Sequence, residues 1–136
     1  DYNFNEIKYG PKFTYFIEDS NKIDLYYQYS NTKNIIGSLE ILTQNKFGIS
    51  SNFSNKNAVS FNGELNYYKN NFLGNPNSII SYIMMEGLQP GNNLTWSLNI
   101  QKKITKYVDL NLNYFARKTE NSSIIHNGNI QLKANF

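Results

Sequence analysis

At 136 residues the chain has room for one domain or part of one. A mean hydropathy of −0.56, with no apolar run near the ~18 residues that a membrane helix needs, excludes a helical membrane protein. There is no cysteine, hence no disulfide, thiol nucleophile or thiolate metal site, and the formal charge of +3 comes from scattered lysines and a single arginine that leave no nucleic-acid footprint.

Alternation of apolar and polar residues recurs along almost the whole chain, and a period of two means a strand with one greasy face and one wet face. It predicts strands over 7–17 (Ile7, Tyr9, Phe13, Tyr15 and Ile17 apolar), 22–30 (Ile23, Leu25, Tyr27, Tyr29) and 41–53 (Phe47, Ile49, Phe53). The next, 58–70, sets Val59, Phe61, Gly63, Leu65 and Tyr67 against Ser60, Asn62, Glu64 and Asn66. Over 94–104, Leu94, Trp96, Leu98 and Ile100 oppose Thr95, Ser97, Asn99 and Gln101. Over 107–118, Val108, Leu110, Leu112 and Tyr114 oppose Asp109, Asn111, Asn113 and Arg117. The seventh, 124–136, carries Gly128, Ile130, Leu132 and Ala134 on one side and has Phe136 as its last residue.

Soluble strands run about 5–6 residues, whereas a tilted membrane-spanning strand needs about 9–11. These stretches repeatedly reach the longer value. Their polar sides are mostly Asn, Ser, Thr and Gln, which suits a lumen better than a freely solvated sheet face. Aromatic residues make up 15% of the chain, with 11 Tyr and 9 Phe, as expected where rings gather at membrane interfaces. The predicted fold is therefore all-β, an antiparallel up-and-down transmembrane β-barrel or the C-terminal strands of a larger one; a soluble sandwich or solenoid is the competing reading.

Connections alternate in length. Turn formers fill the short links near residues 18–21, 54–57 and 105–106, while 31–40, 71–93 and 119–123 are longer. Outer-membrane barrels have short periplasmic turns and long extracellular loops, so 71–93 is expected outside. This orientation aligns Tyr29, Tyr67, Trp96 and Tyr114 on the lipid side near the long loops, as a girdle at the lipid interface. Seven strands conflict with the even number found in bacterial single-chain barrels. Either residues 1–5 hide part of another strand or the chain is the C-terminal segment of a larger barrel, which is the favoured expectation; a first residue that is Asp1 rather than Met fits such a segment or a chain whose leader was cleaved.

The 71–93 loop is too apolar for a solvated tether. Asn77 or Ser78 can cap a helix, Gly87 can end it and Pro90 stops it. Ile79, Ile80, Tyr82, Ile83, Met84 and Leu88 form a candidate docking surface. The blander alternative folds the loop onto its own barrel rim or extends a strand; the sharper one makes it a docking surface or lumen plug.

Chemistry-bearing candidates are few. His126 lies in the apolar register near the outer end of the last strand, with no nucleophile two residues away, and reads as an interfacial structural histidine. Asp24, Glu64, Lys103, Asp109, Arg117 and Lys133 fall on the polar side, where they would form a rigidifying network or tune a pore. No phosphate loop, metal-ligand cluster or nucleotide fingerprint is present, so no catalytic residue, cofactor or metal is expected and the chain is not read as an enzyme.

Asn71-Phe-Leu-Gly-Asn75, Met85-Glu-Gly-Leu-Gln-Pro-Gly-Asn92, Leu94-Thr-Trp96, Asp109-Leu-Asn-Leu-Asn-Tyr114, Arg117-Lys118 and Ile125-His-Asn-Gly128 together resemble the C-terminal region of large outer-membrane proteins of Bacteroidota, flavobacteria in particular. The resemblance spans roughly 47–136. It implies a bacterial outer-membrane location, a longer parent chain, and contact with membrane lipid, lipopolysaccharide and other envelope proteins. A terminal Phe136 resembles the signal that barrel-assembly machinery reads. The expected function is a structural or translocating barrel component; the alternative is the membrane anchor of a surface-exposed adhesin or scaffold.

Overall fold

The computed structural model describes residues 2–18, 21–37, 39–56 and 58–135. Its elements in chain order are β1 (Phe4–Tyr9), β2 (Lys12–Glu18), β3 (Asn21–Asn34), β4 (Ile41–Asn55), β5 (Val59–Leu73), α1 (Ile79–Met84), β6 (Gly91–Lys103), β7 (Val108–Thr119) and β8 (Ile125–Ala134). The strands form one antiparallel sheet in which β3 through β8 pair in sequence order. β1 and β2 both pair with β3 at one edge, β8 forms the other, and the sheet does not close. No helix among the described residues is long and apolar enough to cross a membrane.

The single strand expected over 7–17 is one track broken in its middle. Tyr9 pairs with Tyr29 and Lys12 with Tyr26, so the register continues unshifted across Gly10–Pro11. Tyr27 N–H donates to Pro11 O at 3.0 Å, but proline has no N–H to return, and the ladder lapses there. Glycine precedes it because a Cβ at Gly10 would lie 1.9 Å from Tyr27 O.

Other strands outrun their expected limits. β3 continues to Asn34, β5 to Leu73, and β6 begins at Gly91, so the loop expected over 71–93 narrows to 74–90. The added residues include Asn31, Asn34, Asn71, Asn92 and Asn93, whose low strand propensity hides them from a sequence reading. Ladder partners override that propensity: Lys33 pairs with Ile41, Ile41 with Leu73, and Asn70 with Gly91. Residues 19–20 and 57 of the predicted turns lie outside the described residues, and the links after β4 and β6 are short as expected. Ala58, at φ 56°, donates its N–H to Asn55 O at 3.1 Å, and Ile104 N–H reaches Val108 O at 2.9 Å.

Pairing fixes the two faces. Leu25, Ile49, Leu65, Trp96 and Ala116 are successive partners, as are Phe61, Ile100, Leu112 and Ile130. The opposite face carries the rows Asp24, Ser50, Glu64, Ser97 and Asn52, Asn62, Asn99, Asn113, Asn129. The one buried apolar cluster among the described residues is Leu42, Met84, Met85 and Leu88, with Phe4, Tyr68, Phe72 and Ile80 packed against it. Leu42, Phe72 and Tyr68 belong to the polar face, at the end of the sheet that bears the long loop.

Candidate functional site

The sheet is inverted relative to a water-soluble one. Asp24, Ser30, Asn34, Asn66, Asn70, Asn93 and Thr95 are buried on the polar face, with Asn93 only 1% exposed. The apolar face stands open: Phe13 is 71% exposed, Ile130 69% and Leu132 66%. Burial normally follows apolarity because water expels hydrocarbon; here most of the buried strand residues are polar. Phe16, Phe115 and Ile125 are exposed apolar residues on the polar face.

The four residues of the expected girdle lie on one diagonal of the apolar face. Tyr29 pairs with Asn45 and Asn45 with Lys69, so Tyr67 sits two residues toward the turn end from that row. Tyr67 pairs with Leu94, and Trp96 sits two residues farther in the same sense; Trp96 pairs with Ala116, and Tyr114 sits two farther again. Three tyrosine hydroxyls on this face share a direction. Tyr27 Oη donates to Asn45 Oδ1 and Tyr67 Oη to Asn92 Oδ1, both at 2.6 Å, and Tyr114 Oη lies 2.7 Å from His126 Nδ1. Each partner belongs to the next row toward the loop end, so the rings lie in the apolar band and the hydroxyls point out of it. His126, which also stacks on Tyr114 with centroids 6.1 Å apart, is a partner of the girdle. Phe136 lies outside the described residues.

The buried part of the polar face is fully hydrogen-bonded: among the described residues no buried side-chain polar atom lacks a partner. Near the turn end, buried Asp24 accepts from Thr14 Oγ1 at 2.6 Å and faces Lys12 and Lys22 Nζ at 3.5 and 3.4 Å. Mid-sheet, Asn99 donates to Asn111 at 3.1 Å and to Asn113. Toward the loop end from Asp24 lies a cluster that reading the sequence missed. Tyr26 Oη donates to Glu64 at 2.9 Å and to Asn66, while Lys46 Nζ stands 5.4 Å from the Tyr26 ring centroid and 5.3 Å from that of Tyr68. Gly48 makes room: a Cβ there would lie 2.1 Å from Tyr26 Cζ. The signal was available in the doublets Tyr26-Tyr27 and Tyr67-Tyr68, since adjacent strand residues must give one ring to each face.

Over the loop end of this face lies a roof made by residues 74–90. Ser78 caps α1 as expected, its Oγ accepting from Ser81 N–H at 3.1 Å. The helix stops at Met85, earlier than the expected glycine stop, with Glu86 and Gly87 in left-handed conformations (φ 54° and 76°). A helix of six residues has no independent stability, so tertiary seating must hold it. Burying each of Met84, Met85 and Leu88 contributes roughly 1.5–3 kcal/mol, more than the roughly 0.5–1.5 kcal/mol net of any one hydrogen bond. Apolar burial therefore seats the roof and hydrogen bonds set its position. Asn93 Nδ2 donates to Gln89 O at 2.7 Å and Asn70 Nδ2 to the same oxygen at 3.2 Å, while Arg117 Nη1 reaches Gly87 O at 3.1 Å. A cavity of about 230 Å³ remains beneath, lined by Glu64, Tyr68, Glu86, Thr95, Phe115 and Arg117 among others.

The proposed loop surface is thereby divided. Met84 and Leu88 are buried inward and Ile80 packs on their cluster, whereas Ile79 (79% exposed), Tyr82 and Ile83 face away from the sheet. Among the polar-side charges, Asp24 joins the lysine network, Glu64 the Tyr26 cluster and Arg117 the roof; Lys103, Asp109 and Lys133 form one row near the turn end. The described residues hold no group of His, Asp or Glu arranged for a metal ion. No known protein family, curated protein or solved structure matches the chain.

Proposed function

We propose that residues 1–136 are part of the wall of a bacterial outer-membrane β-barrel, serving as a structural or translocating component, with the apolar face against lipid and the polar face toward the lumen. The observation that carries this reading is the inverted burial, polar residues inside and large apolar ones outside, which is the arrangement a strand wall needs in hydrocarbon. The girdle supports it quantitatively. A diagonal that steps about 1.5 residues per strand, at ~3.4 Å per residue and ~4.8 Å between strands, corresponds to a tilt of about 45°, close to the roughly 35–45° of membrane barrels. Tyrosine rings in an apolar band with hydroxyls aimed at one end also suit an interface. In this reading the loop end is extracellular and lipopolysaccharide borders the girdle. The barrel-assembly machinery would read the last strand, and the roof narrows the lumen from outside. The resemblance to flavobacterial outer-membrane proteins points the same way. The anchor reading, an adhesin or scaffold held by its barrel, draws support from the exposed Ile79, Tyr82, Ile35 and Leu39 at the loop end.

Trp96 is the only tryptophan and supplies the test. In protein folded into lipid vesicles, spin-labelled phospholipids should quench its fluorescence, most strongly when the label sits near the headgroups. Quenching by aqueous iodide with none from any lipid label would refute the membrane reading.

A further inference from the structure

The two edges of the sheet pose a problem with a definite solution. Asn135 N–H donates to Tyr107 O at 2.8 Å, which makes the odd-numbered residues of β8 the ones hydrogen-bonded to β7. By the two-residue period of antiparallel ladders, the backbone N–H and C=O groups of His126, Gly128, Ile130, Leu132 and Ala134 point away from β7, along a free edge. At the other edge, Tyr27 N–H meets Pro11 O and Ile35 N–H meets Asn3 O, so the even-numbered residues of β1 and β2 point outward in the same way. Pro11 faces inward and does not blunt that edge. Among the described residues the β8 edge has no bulge, proline or covering element, the usual protections of an edge strand, while the other edge has one register shift, between Phe16 and Glu18 of β2. In hydrocarbon, unmatched backbone groups are strongly unfavourable.

The edges are not antiparallel partners for one another. Counting through antiparallel partners from β3 to β8 and from β3 to β1, the chain runs in the same direction along β8 and along β1–β2. Joining them would make a parallel pair inside a wall of antiparallel strands. A second copy does not help. Two copies inserted with the same sidedness present edges that all run the same way, so any pairing between copies is again parallel.

We infer that the free edge of β8 is completed by a strand of opposite direction lying outside residues 1–136, one of an odd number that carry the wall from β8 back to β1. This rests on the membrane reading above and adds the occupant of the edge. The occupant is an alternating apolar–polar segment of about 9–11 residues, running outward where β8 runs inward, its apolar side level with Ile130 and Leu132. An odd number of such strands also brings the seven tracks seen here to the even total of antiparallel closure.

The test uses the native protein with its own membrane lipids. Amide exchange at Ile130 and Leu132 should be protected to within about tenfold of Gln131, whose N–H bonds β7. In parallel, benzophenone tethered to cysteine at Asn127→Cys and Gln131→Cys, both on the polar face, should cross-link to one alternating segment, with the two sites mapping in reverse order along it. Rapid exchange at Ile130 and Leu132 beside a protected Gln131 would mean a bare edge and overturn the inference. So would cross-links to residues 1–136 of a second copy, or two cross-links in the same order as β8. Trp96 quenching separates the two failures: lipid contact with a bare β8 edge defeats only the inferred strand, whereas loss of lipid contact defeats the membrane reading itself.

Discussion

Arginine placed at Ile100 asks directly which face meets hydrocarbon and at what depth. Ile100 is flanked by Phe61 and Leu112 on the apolar face, four residues toward the turn end from Trp96. At ~3.4 Å per residue along a strand tilted by about 45°, it lies about 10 Å beneath the aromatic band, close to the middle of an apolar belt about 25 Å tall. Ile100→Arg should therefore destabilise the inserted state by about 2–4 kcal/mol, roughly 30- to 700-fold in the folding equilibrium. Gln101, one residue on, faces the other way, between Ser60 and Asn111; Gln101→Arg should stay within about 0.5 kcal/mol. Leu94 shares the apolar face but lies two residues toward the loop end from Trp96, beside Lys118. At that depth Leu94→Arg should cost about 0–1 kcal/mol. Urea titrations of vesicle-folded protein, followed by Trp96 emission and by heat-modifiable gel mobility, read all three. Equal losses at Ile100 and Gln101 would refute the assignment of faces. A loss at Leu94 as large as at Ile100 would refute the assigned depth.

Two further substitutions probe the polar face. Met85 is 1% exposed beneath the roof, so Met85→Ala should remove about 2–5 kcal/mol from its seating and leave the strand ladders intact; a cysteine at Thr95, buried below, should then react faster with an impermeant maleimide while heat-modifiable mobility is unchanged, and no change in labelling would refute the roof. Gly48→Ala places a Cβ 2.1 Å from Tyr26 Cζ, which should displace the ring, break its bonds to Glu64 and Asn66 and destabilise by about 1–3 kcal/mol. Tyr26→Ala in the same protein should relieve part of that cost, the added Cβ then still meeting Asn66 Oδ1, and simple additivity in denaturant titrations would refute the contact.

Both faces of the sheet were legible because alternation needs no knowledge of partners: each strand announces its own apolar side, and the ladders place all those sides together. Strand ends were less legible. Asn34 and Asn93 have poor intrinsic propensity, and what keeps them in the sheet is their neighbours: Asn34 donates to Glu40 at 2.8 Å, and Asn93 binds the roof. The cap at Ser78 was legible from local chemistry. The inward fold of the loop was not, because its receiving surface is assembled from Phe4, Leu42, Tyr68 and Phe72 on three different strands. Each of these reads in isolation as a lapse in alternation; only the register collects them. Such lapses become informative once the faces are known. An apolar side chain on a face that is otherwise Asn, Ser and Thr gains nothing from the hydrated surface around it, so a cluster of them marks a place where something rests. Phe4, Leu42, Tyr68 and Phe72 mark the seat of Met84, Met85 and Leu88, and they lie at the loop end because only the loop can reach them.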